Sequence, residues 1–348
     1  MTVVIGRESG EGPTARLGAY RALDGSSGAA LEVDLDGPHA ALAVGKRGYG
    51  KSYTLGVIAE GLARTAGVAP VVVDPMGAFR TLDDPADGQP VPARVVDDPT
   101  VSPGALDPRS WCALVGLSPE SGAGGLVWRA AREAETLTGM RSAVEAAEAP
   151  VADRRAAANH IALAESWGVF GTEGVDADAL CTGEVTVLDL SGLGRAPMNA
   201  VVRAVGEALY RGRVAGTVDR LPWLLVDEAH TFFDGVGEAA LETILTRGRA
   251  PGVSLALATQ RPSAVSEVAV SQSDLLVAHR LTAESDLSAL AAARPTYLEG
   301  SLAERLPTDP GEAVVVDDAT ETVHAVTVRE RATPHGGGSP TASDAAVD

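Results

Sequence analysis

Lysine is almost absent from this sequence: of its 28 lysines and arginines, only Lys46 and Lys51 are lysines. Acidic residues are in large excess, and the formal net charge of −19 excludes a general basic surface for nucleic acid. Any contact with a polyanion must come from a local arginine cluster or from the pore of an oligomer. Acidic, lysine-poor and alanine-rich compositions are typical of salt-adapted proteins. We therefore expect folding to require molar salt, which circular dichroism at low salt would test.

Cysteine and long apolar runs are also scarce. The two cysteines, Cys112 and Cys181, have no metal-ligand residues at short spacing, which indicates two free thiols in a reducing compartment. No stretch reaches the roughly 18 consecutive apolar residues of a membrane span. The amino-terminal residues lack the charged-then-apolar pattern of a signal peptide. We therefore expect a cytoplasmic protein without a membrane span.

The chain does contain short apolar strands that alternate with amphipathic helices. This alternation predicts an α/β fold in which a parallel central sheet carries helices on both faces. A final strand over 313–317 is expected to pair at an edge of the sheet. The other predicted strands are 39–44, 71–73, 185–190, 221–226, 253–258 and 275–280, and the predicted helices are 51–66, 198–211 and 238–249.

Composition divides the chain into four segments. Turn-rich residues precede the first apolar strand, and a long stretch with helical spacing interrupts the alternation of strands and helices. Residues 80–108 are rich in proline, aspartate and glycine and predict a long loop. Three tryptophans in the helical stretch (Trp111, Trp128 and Trp167) are expected to be packing anchors. The predicted segments are a β lead-in (1–38), an α/β core (39–80 and 183–332), a mainly helical insertion (81–182) and a flexible tail (333–348).

A glycine-rich loop follows the first core strand. Residues 45–52 read Gly-Lys-Arg-Gly-Tyr-Gly-Lys-Ser and match the phosphate-loop pattern G-x-x-x-x-G-K-[ST]. Glycines let backbone N–H groups turn toward phosphate oxygens, and the N-terminus of the following helix adds its positive dipole end. Lys51 would reach the phosphates of ATP, and the Ser52 hydroxyl would bind Mg²⁺. The candidate nucleotide-binding residues are Gly45, Lys46, Arg47, Gly48, Tyr49, Gly50, Lys51, Ser52 and Tyr53.

Two adjacent carboxylates end the apolar strand over 221–226. Asp227 would complete the Mg²⁺ shell, and Glu228 would orient or deprotonate the attacking water. Burying two adjacent carboxylates at the end of a strand costs free energy unless a cation pairs with them or a cleft exposes them to water. Beside a phosphate loop, this cost favours a functional role for the pair. His230 lies two residues after Glu228. It would either couple the site to neighbouring elements or have only a packing role.

A polar amide, Gln260, ends the strand over 253–258. Its position next to the phosphate-loop strand is suited to sensing the terminal phosphate or its water. The run Asp227-Glu228-Ala229-His230 also occurs in DEAH helicases. The chain after Gln260 is too short for the second recombinase-type domain that such helicases require.

Taken together, these motifs resemble the HerA–FtsK group of P-loop motor ATPases, with HerA the most similar. The block Ala258-Thr259-Gln260-Arg261-Pro262-Ser263 and the carboxyl-terminal residues are more specific to this group than the phosphate loop. The other matching blocks are 44–52, 71–75, 187–193, 227–230, 247–249, 328–331 and 335–337.

This resemblance implies a RecA-like P-loop NTPase core. It also implies a homohexameric ring through which double-stranded DNA is threaded. ATP and Mg²⁺ would bind between subunits, and a haloarchaeal source and a NurA-type nuclease partner would be expected. The group places an arginine finger in the Gly-Arg block, which here falls on Arg249, and Arg280 is the second candidate. Catalytic candidates are therefore Lys51, Glu228, Gln260, Arg249 and Arg280.

Two alternatives to a DNA translocase or helicase remain open. One is a packaging- or secretion-type ring ATPase that moves viral DNA or protein. The other is a slow nucleotide-dependent switch that scaffolds a complex, which has less need of a water-activating carboxylate such as Glu228.

Overall fold

A computed structural model describes residues 2–22, 26–84, 90–172, 174–292, 297 and 300–336. In these ranges twelve strands form one continuous sheet. The strands are β1 (Thr2–Ile5), β2 (Thr14–Arg21), β3 (Ser27–Asp34), β4 (Ala40–Val44), β5 (Val68–Asp74), β6 (Ala93–Val96), β7 (Val185–Asp189), β8 (Leu221–Val226), β9 (Ser254–Thr259), β10 (Leu275–Ala278), β11 (Glu312–Asp317) and β12 (Thr322–Val328).

Eleven α-helices lie within the same ranges. Those of the core are α1 (Lys51–Leu62), α7 (Arg195–Ala215), α8 (Glu238–Arg247), α9 (Glu267–Ser271), α10 (Glu284–Ala292) and α11 (Leu302–Arg305). Those of the inserted segment are α2 (Pro108–Leu114), α3 (Gly122–Glu133), α4 (Leu137–Ala146), α5 (Val151–Glu165) and α6 (Ala177–Leu180). None of the helices in the described part of the chain combines the length and apolarity that a membrane crossing needs.

One half of the sheet is parallel, in the order β10-β4-β9-β8-β5-β7-β6. Strands β5, β7 and β9 are buried along their whole length, as expected for parallel strands covered on both faces. This arrangement confirms the predicted α/β class with a parallel central sheet and a helical insertion. It also brings the carboxyl ends of β4, β5, β8 and β9 to one edge.

The other half of the sheet is mainly antiparallel. The prediction of an edge strand over 313–317 is wrong, because β11 lies between β10 and β12 and pairs antiparallel with both. The sheet continues beyond β12 through β2, β3 and β1. Gly18 permits the β2–β12 pairing, since a Cβ there would lie 2.1 Å from the carbonyl oxygen of Thr327. The prediction missed β12, which pairs with the other side of β11 and makes β11 an internal strand.

The inserted segment contributes to the sheet as well as carrying helices. Strand β6 lies in the stretch predicted as a loop and pairs parallel with β7 at the far edge of the sheet. Its half-buried residues show no apolar alternation, so no local pattern predicts this strand. Among the predicted anchors, Trp111 is fully buried and donates a hydrogen bond to the carbonyl of Pro103 at 3.0 Å. Trp128 and Trp167 are partly buried against the same core.

A buried histidine connects the amino-terminal strands to the parallel sheet. Nδ1 of His39 lies 2.9 Å from Oδ2 of Asp274, which precedes β10, and Nε2 lies 3.3 Å from Oδ2 of Asp34 at the end of β3. Arg7 binds the other oxygen of Asp34 at 2.9 Å. Burial lowers the pKa of His39, but the bonds to Asp274 and Asp34 outweigh it and raise that pKa to about 9. The imidazole is therefore charged at neutral pH.

Candidate active site

A cleft of about 520 Å³ opens at the carboxyl edge of the parallel sheet. Its floor is formed by the loop between β4 and α1 and by the residues after β8. Its sides come from the loop after β5, the residues before β11 and a carboxyl-terminal segment. The lining residues are Arg47, Gly48, Gly50, Lys51, Ser52, Tyr53, Met76, Ala78, Asp227, Glu228, Pro310, Gly311, His335 and Gly336.

The predicted phosphate loop lies between β4 and α1, as its motif requires. Gly48 and Gly50 have φ angles of 82° and 114°, a left-handed conformation that glycine adopts without steric cost. Lys51 is the first residue of α1, so the loop leads directly into a helix N-terminus. That terminus presents free N–H groups and the positive end of the helix dipole to an anion. The loop therefore has the backbone form of a phosphate-binding site.

A buried histidine that the motif search missed supports this loop. The Nδ1–H of His279 donates to the carbonyl of Glu312 at 2.8 Å, which leaves Nε2 to accept from the hydroxyl of Thr54 at 2.9 Å. Burial lowers the pKa of His279 to about 4, so the ring is neutral. A Cβ on Gly45 would lie 2.7 Å from Cβ of His279. Only the position of His279 directly after an apolar strand could have indicated this role.

The two predicted metal ligands are adjacent. The Ser52 hydroxyl donates to Oδ1 of Asp227 at 3.0 Å, which joins the start of α1 to the end of β8. Asp227 is 1% exposed. Burial, followed by the neighbouring charge of Glu228, raises the pKa of Asp227 to about 6. Because burial and a neighbouring charge destabilise the ionised form of Asp227, a cation beside it would stabilise that form.

These residues fit an Mg²⁺ ion that is shared with phosphates. The described part of the chain has no group of three or more histidine, cysteine, aspartate or glutamate side chains arranged to hold a metal. Mg²⁺ commonly takes one or two protein oxygens and completes its shell with water and substrate phosphates. The Ser52 and Asp227 oxygens supply that donor set, and the phosphate loop adjoins them.

The predicted water-activating residue, Glu228, has a strained backbone and a free carboxylate oxygen. Its φ of 45° is uncommon for a residue with a side chain. Glu228 lines the cleft. Oε1 lies 3.6 Å from Nζ of Lys51. Oε2 is buried without a hydrogen-bond partner among the described residues, although Nδ1 of His230 lies 3.3 Å away. An unpartnered buried oxygen is suited to accept a hydrogen bond from water.

His230 connects this carboxylate to β9. Its Nδ1 also lies 3.2 Å from Oγ1 of Thr259, the last residue of β9. Burial lowers the pKa of His230, so the ring is neutral at pH 7. Gln260 follows Thr259 directly, and Thr259 pairs with Val44 next to the phosphate loop. The structure thus places Gln260 at the same edge of the sheet as the cleft.

The two candidate arginine fingers have different positions. Arg249 is exposed and precedes β9, so it lies at the amino edge of the sheet, a strand length of roughly 20 Å from the cleft. Arg280 follows β10 at the carboxyl edge, and its guanidinium carbon is 5.7 Å from the ring centre of Tyr49. Arg280 also donates to the carbonyl of Thr308 at 2.9 Å. The structure therefore brings Arg280, and not Arg249, to the phosphate loop of its own chain.

The phosphate loop also holds its other lysine by an aromatic contact. Nζ of Lys46 is 4.5 Å from the ring centre of Tyr49, on which Arg280 also packs. The Lys46 N–H donates to the carbonyl of Arg280 at 2.8 Å. Lys46, Tyr49 and Arg280 thus fix the outer half of the loop, while Lys51 and Ser52 face the cleft.

A carboxyl-terminal strap, defined here as residues 329–336, packs along α1. Its first half surrounds the fully buried Glu60, which accepts from Arg329 at 2.7 Å and from the N–H groups of Ala332 and Thr333 at 3.0 Å each. Residues 333–336 belong to the segment predicted as a flexible tail, yet Thr333 is 3% exposed. Local composition gave no sign of these contacts with Glu60. The rest of the predicted tail, 337–348, lies outside the described residues.

Solved structures with the same fold support this description. The structure of VirB4 of Thermoanaerobacter pseudethanolicus is 17% identical, with a TM-score of 0.67 over 92% of this chain and 97% of that one. The bacterial conjugative coupling protein TrwB, as TrwBdeltaN70, is 15% identical, with a TM-score of 0.58 over 84% and 86%. Plasmid coupling protein TrwB in complex with ADP and Mg²⁺ gives 0.58 at 14% identity over 85% and 86%. No protein-family model and no curated protein sequence matches the chain.

Fold and site together define a P-loop NTPase. The structures of VirB4 and of the conjugative coupling protein TrwB share this fold, and at 17% and 15% identity the likeness concerns the fold alone.

Proposed function

We propose that this protein hydrolyses ATP and is a motor ATPase of the HerA–FtsK group. The observation that carries the proposal is the convergence of Lys51, Ser52, Asp227 and Glu228 on one cleft, with Lys51 Nζ 3.6 Å from Glu228 and Ser52 Oγ 3.0 Å from Asp227. A phosphate loop alone would support binding. A free carboxylate oxygen opposite the lysine adds the group that a hydrolase needs.

Each residue has a distinct chemical part in this proposal. Backbone N–H groups of the loop and the Lys51 ammonium bind the phosphate oxygens and stabilise the charge that develops on them. Ser52 and Asp227 would hold Mg²⁺, which when bound neutralises phosphate charge. Glu228 orients a water and accepts its proton as the water oxygen bonds to the γ-phosphorus. The bond from that phosphorus to the bridging oxygen breaks, and ADP leaves with the electron pair.

We further propose that the motor acts as a homohexameric ring on double-stranded DNA. The motif blocks shared with HerA support this assignment, including Thr259-Gln260-Arg261-Pro262-Ser263 and the carboxyl-terminal residues. A net charge of −19 argues against tight electrostatic binding, but a ring that encloses its track is held by topology. A haloarchaeal, cytoplasmic setting and a NurA-type nuclease partner belong to the same proposal and rest on that resemblance.

A conjugation- or secretion-type motor that moves another polymer is the second candidate. The observation in its favour is the likeness to a bacterial conjugative coupling protein over most of both chains. A packaging motor for viral DNA falls in the same class. Both share the ATPase site with the first candidate and differ from it in the cargo, which is protein or viral DNA.

The test is ATP hydrolysis in molar KCl, with and without linear double-stranded DNA, using Lys51→Ala as the blank. Strong stimulation by DNA supports the translocase. Steady hydrolysis that is indifferent to DNA favours a secretion-type motor that moves protein. No hydrolysis in a folded protein that binds ATP would indicate a nucleotide-dependent switch and contradict the motor.

A further inference from the structure

The carboxyl-terminal strap reaches the cleft by packing along α1. It is anchored at Glu60, near the end of the helix, and Arg331 then lies over Gly56, where a Cβ would be 2.8 Å from the guanidinium carbon. The Arg331 N–H donates to the Tyr53 hydroxyl at 2.7 Å. Beyond it, the ring of His335 lies 5.4 Å from that of Tyr53 in an edge-to-face contact. A glycine in this helix costs about 1 kcal/mol relative to alanine, and here it makes room for the strap.

The end of the strap closes one wall of the cleft. Gly336 approaches the loop after β5, since a Cβ on it would lie 3.2 Å from the carbonyl oxygen of Ala78. The Thr81 hydroxyl donates to the carbonyl of Pro334 at 2.6 Å. The strap therefore connects α1 to the loop after β5, and His335 and Gly336 become cleft-lining residues.

The walls of the cleft differ in chemistry from its floor. Lys51, Ser52, Asp227 and Glu228 are charged or polar and suit phosphates and a cation. By contrast, the walls present the thioether of Met76, which is 65% exposed, and the exposed ring of His335. Partial burial and the nearby Arg331 lower the pKa of His335, so the imidazole is neutral at pH 7. A neutral ring and an exposed thioether suit a flat heteroaromatic base.

We propose that the carboxyl-terminal strap forms the nucleoside subsite of the cleft, in which His335 stacks on the purine base and Met76, on the adjoining loop after β5, contacts the base as well. This inference rests on the proposed function, because it assumes that the phosphate loop holds the phosphates of the same nucleotide. The strap is held by Glu60, Gly56 and Tyr53. These three residues lie on one face of α1, at intervals of three or four, so the helix that binds phosphate also positions the base.

The experiment compares ADP with pyrophosphate, two probes that differ in the nucleoside. Calorimetric titration with Mg²⁺ present is carried out on the full chain, on His335→Ala and on His335→Phe. His335→Ala is expected to weaken ADP binding about tenfold, as loss of one base–aromatic stack does, and to leave pyrophosphate binding within about twofold. His335→Phe retains a ring and is expected to restore ADP affinity.

Two further variants keep the result interpretable. Met76→Ala removes the exposed thioether on the adjoining loop and is expected to weaken the binding of ADP but not of pyrophosphate. His160→Ala in α5 is the matched control and is expected to change neither. The nucleoside subsite is refuted if ADP affinity is unchanged in both His335→Ala and Met76→Ala. It is also refuted if these variants lose ADP and pyrophosphate affinity equally. Neither result contradicts the proposed ATPase activity. A wild-type chain that binds neither probe overturns the proposed function itself.

Discussion

The ammonium of Lys51 lies 3.6 Å from Oε1 of Glu228, so the proposed phosphate-binding cation and the proposed water-activating carboxylate contact each other directly. Lys51 is 5% exposed, which makes an unpaired charge there costly. A triphosphate in the loop would offer Lys51 a stronger anionic partner. Glu228 would then be released to bind water, which couples nucleotide binding to activation of the base.

The first prediction concerns Glu228→Gln. The amide cannot accept a proton from water, so we expect hydrolysis to fall by at least about a hundredfold. ATP binding should not weaken, because Lys51 loses a competing anion. Steady-state hydrolysis and calorimetric titration measure the two effects. Glu242→Gln on α8 is the matched control, and normal turnover in Glu228→Gln would show that another residue activates the water.

A second prediction follows from the contact of Gly45 with His279. Gly45→Ala would place a Cβ 2.7 Å from Cβ of His279, a contact that side-chain rotation cannot relieve. The phosphate loop must shift, which would weaken its hydrogen bonds to the charged phosphates. We therefore expect ATP affinity to fall at least about tenfold, as expected for the loss of one charge-assisted hydrogen bond. Gly192→Ala is the control, because a Cβ there meets nothing within 4 Å. Equal affinities for the two variants would refute a loop fixed by His279.

Subunit mixing tests the arginine finger. Arg249 is far from its own cleft and exposed, as a residue supplied to a neighbouring subunit must be. Arg249→Ala and Glu228→Gln should each be inactive alone, and mixed rings should regain activity because some interfaces then carry both native residues. Arg132→Ala on α3 should remain active. If mixing restores nothing and Arg280→Ala is also inactive, the finger is better assigned to Arg280.

The buried His39 predicts a specific dependence of stability on pH. Its pKa is raised from an ordinary 6.5 to about 9 in the folded protein, so the protonated form stabilises the fold. This contribution, about 3 kcal/mol, is fully present below pH 6.5 and is lost as pH rises through about 9. Chemical unfolding at several pH values should show this loss in the wild type and a flatter profile in His39→Gln. Parallel profiles would contradict a charged His39, and His160→Gln should behave as the wild type.

Local sequence patterns were sufficient for the phosphate loop and for every strand of the parallel half except β6. The motif over 45–52 and the uniform apolarity of 221–226 each specify their own element. The pairing of Ser52 with Asp227 followed, because carboxyl ends of parallel strands meet at one edge. His279 and β6 were missed, since a lone histidine and a half-buried strand have no local pattern.

The sequence by itself determined the class of the site, because the phosphate loop and the carboxylates after β8 carry their chemistry in contiguous residues. Only the tertiary structure decided which remote residues complete that site. His279, Glu60, Arg331 and His335 act through contacts between segments far apart in the chain, and pairing with both β10 and β12 made β11 an internal strand. Such contacts depend on how elements pack, and the free energy of packing has no signature in any single stretch of sequence.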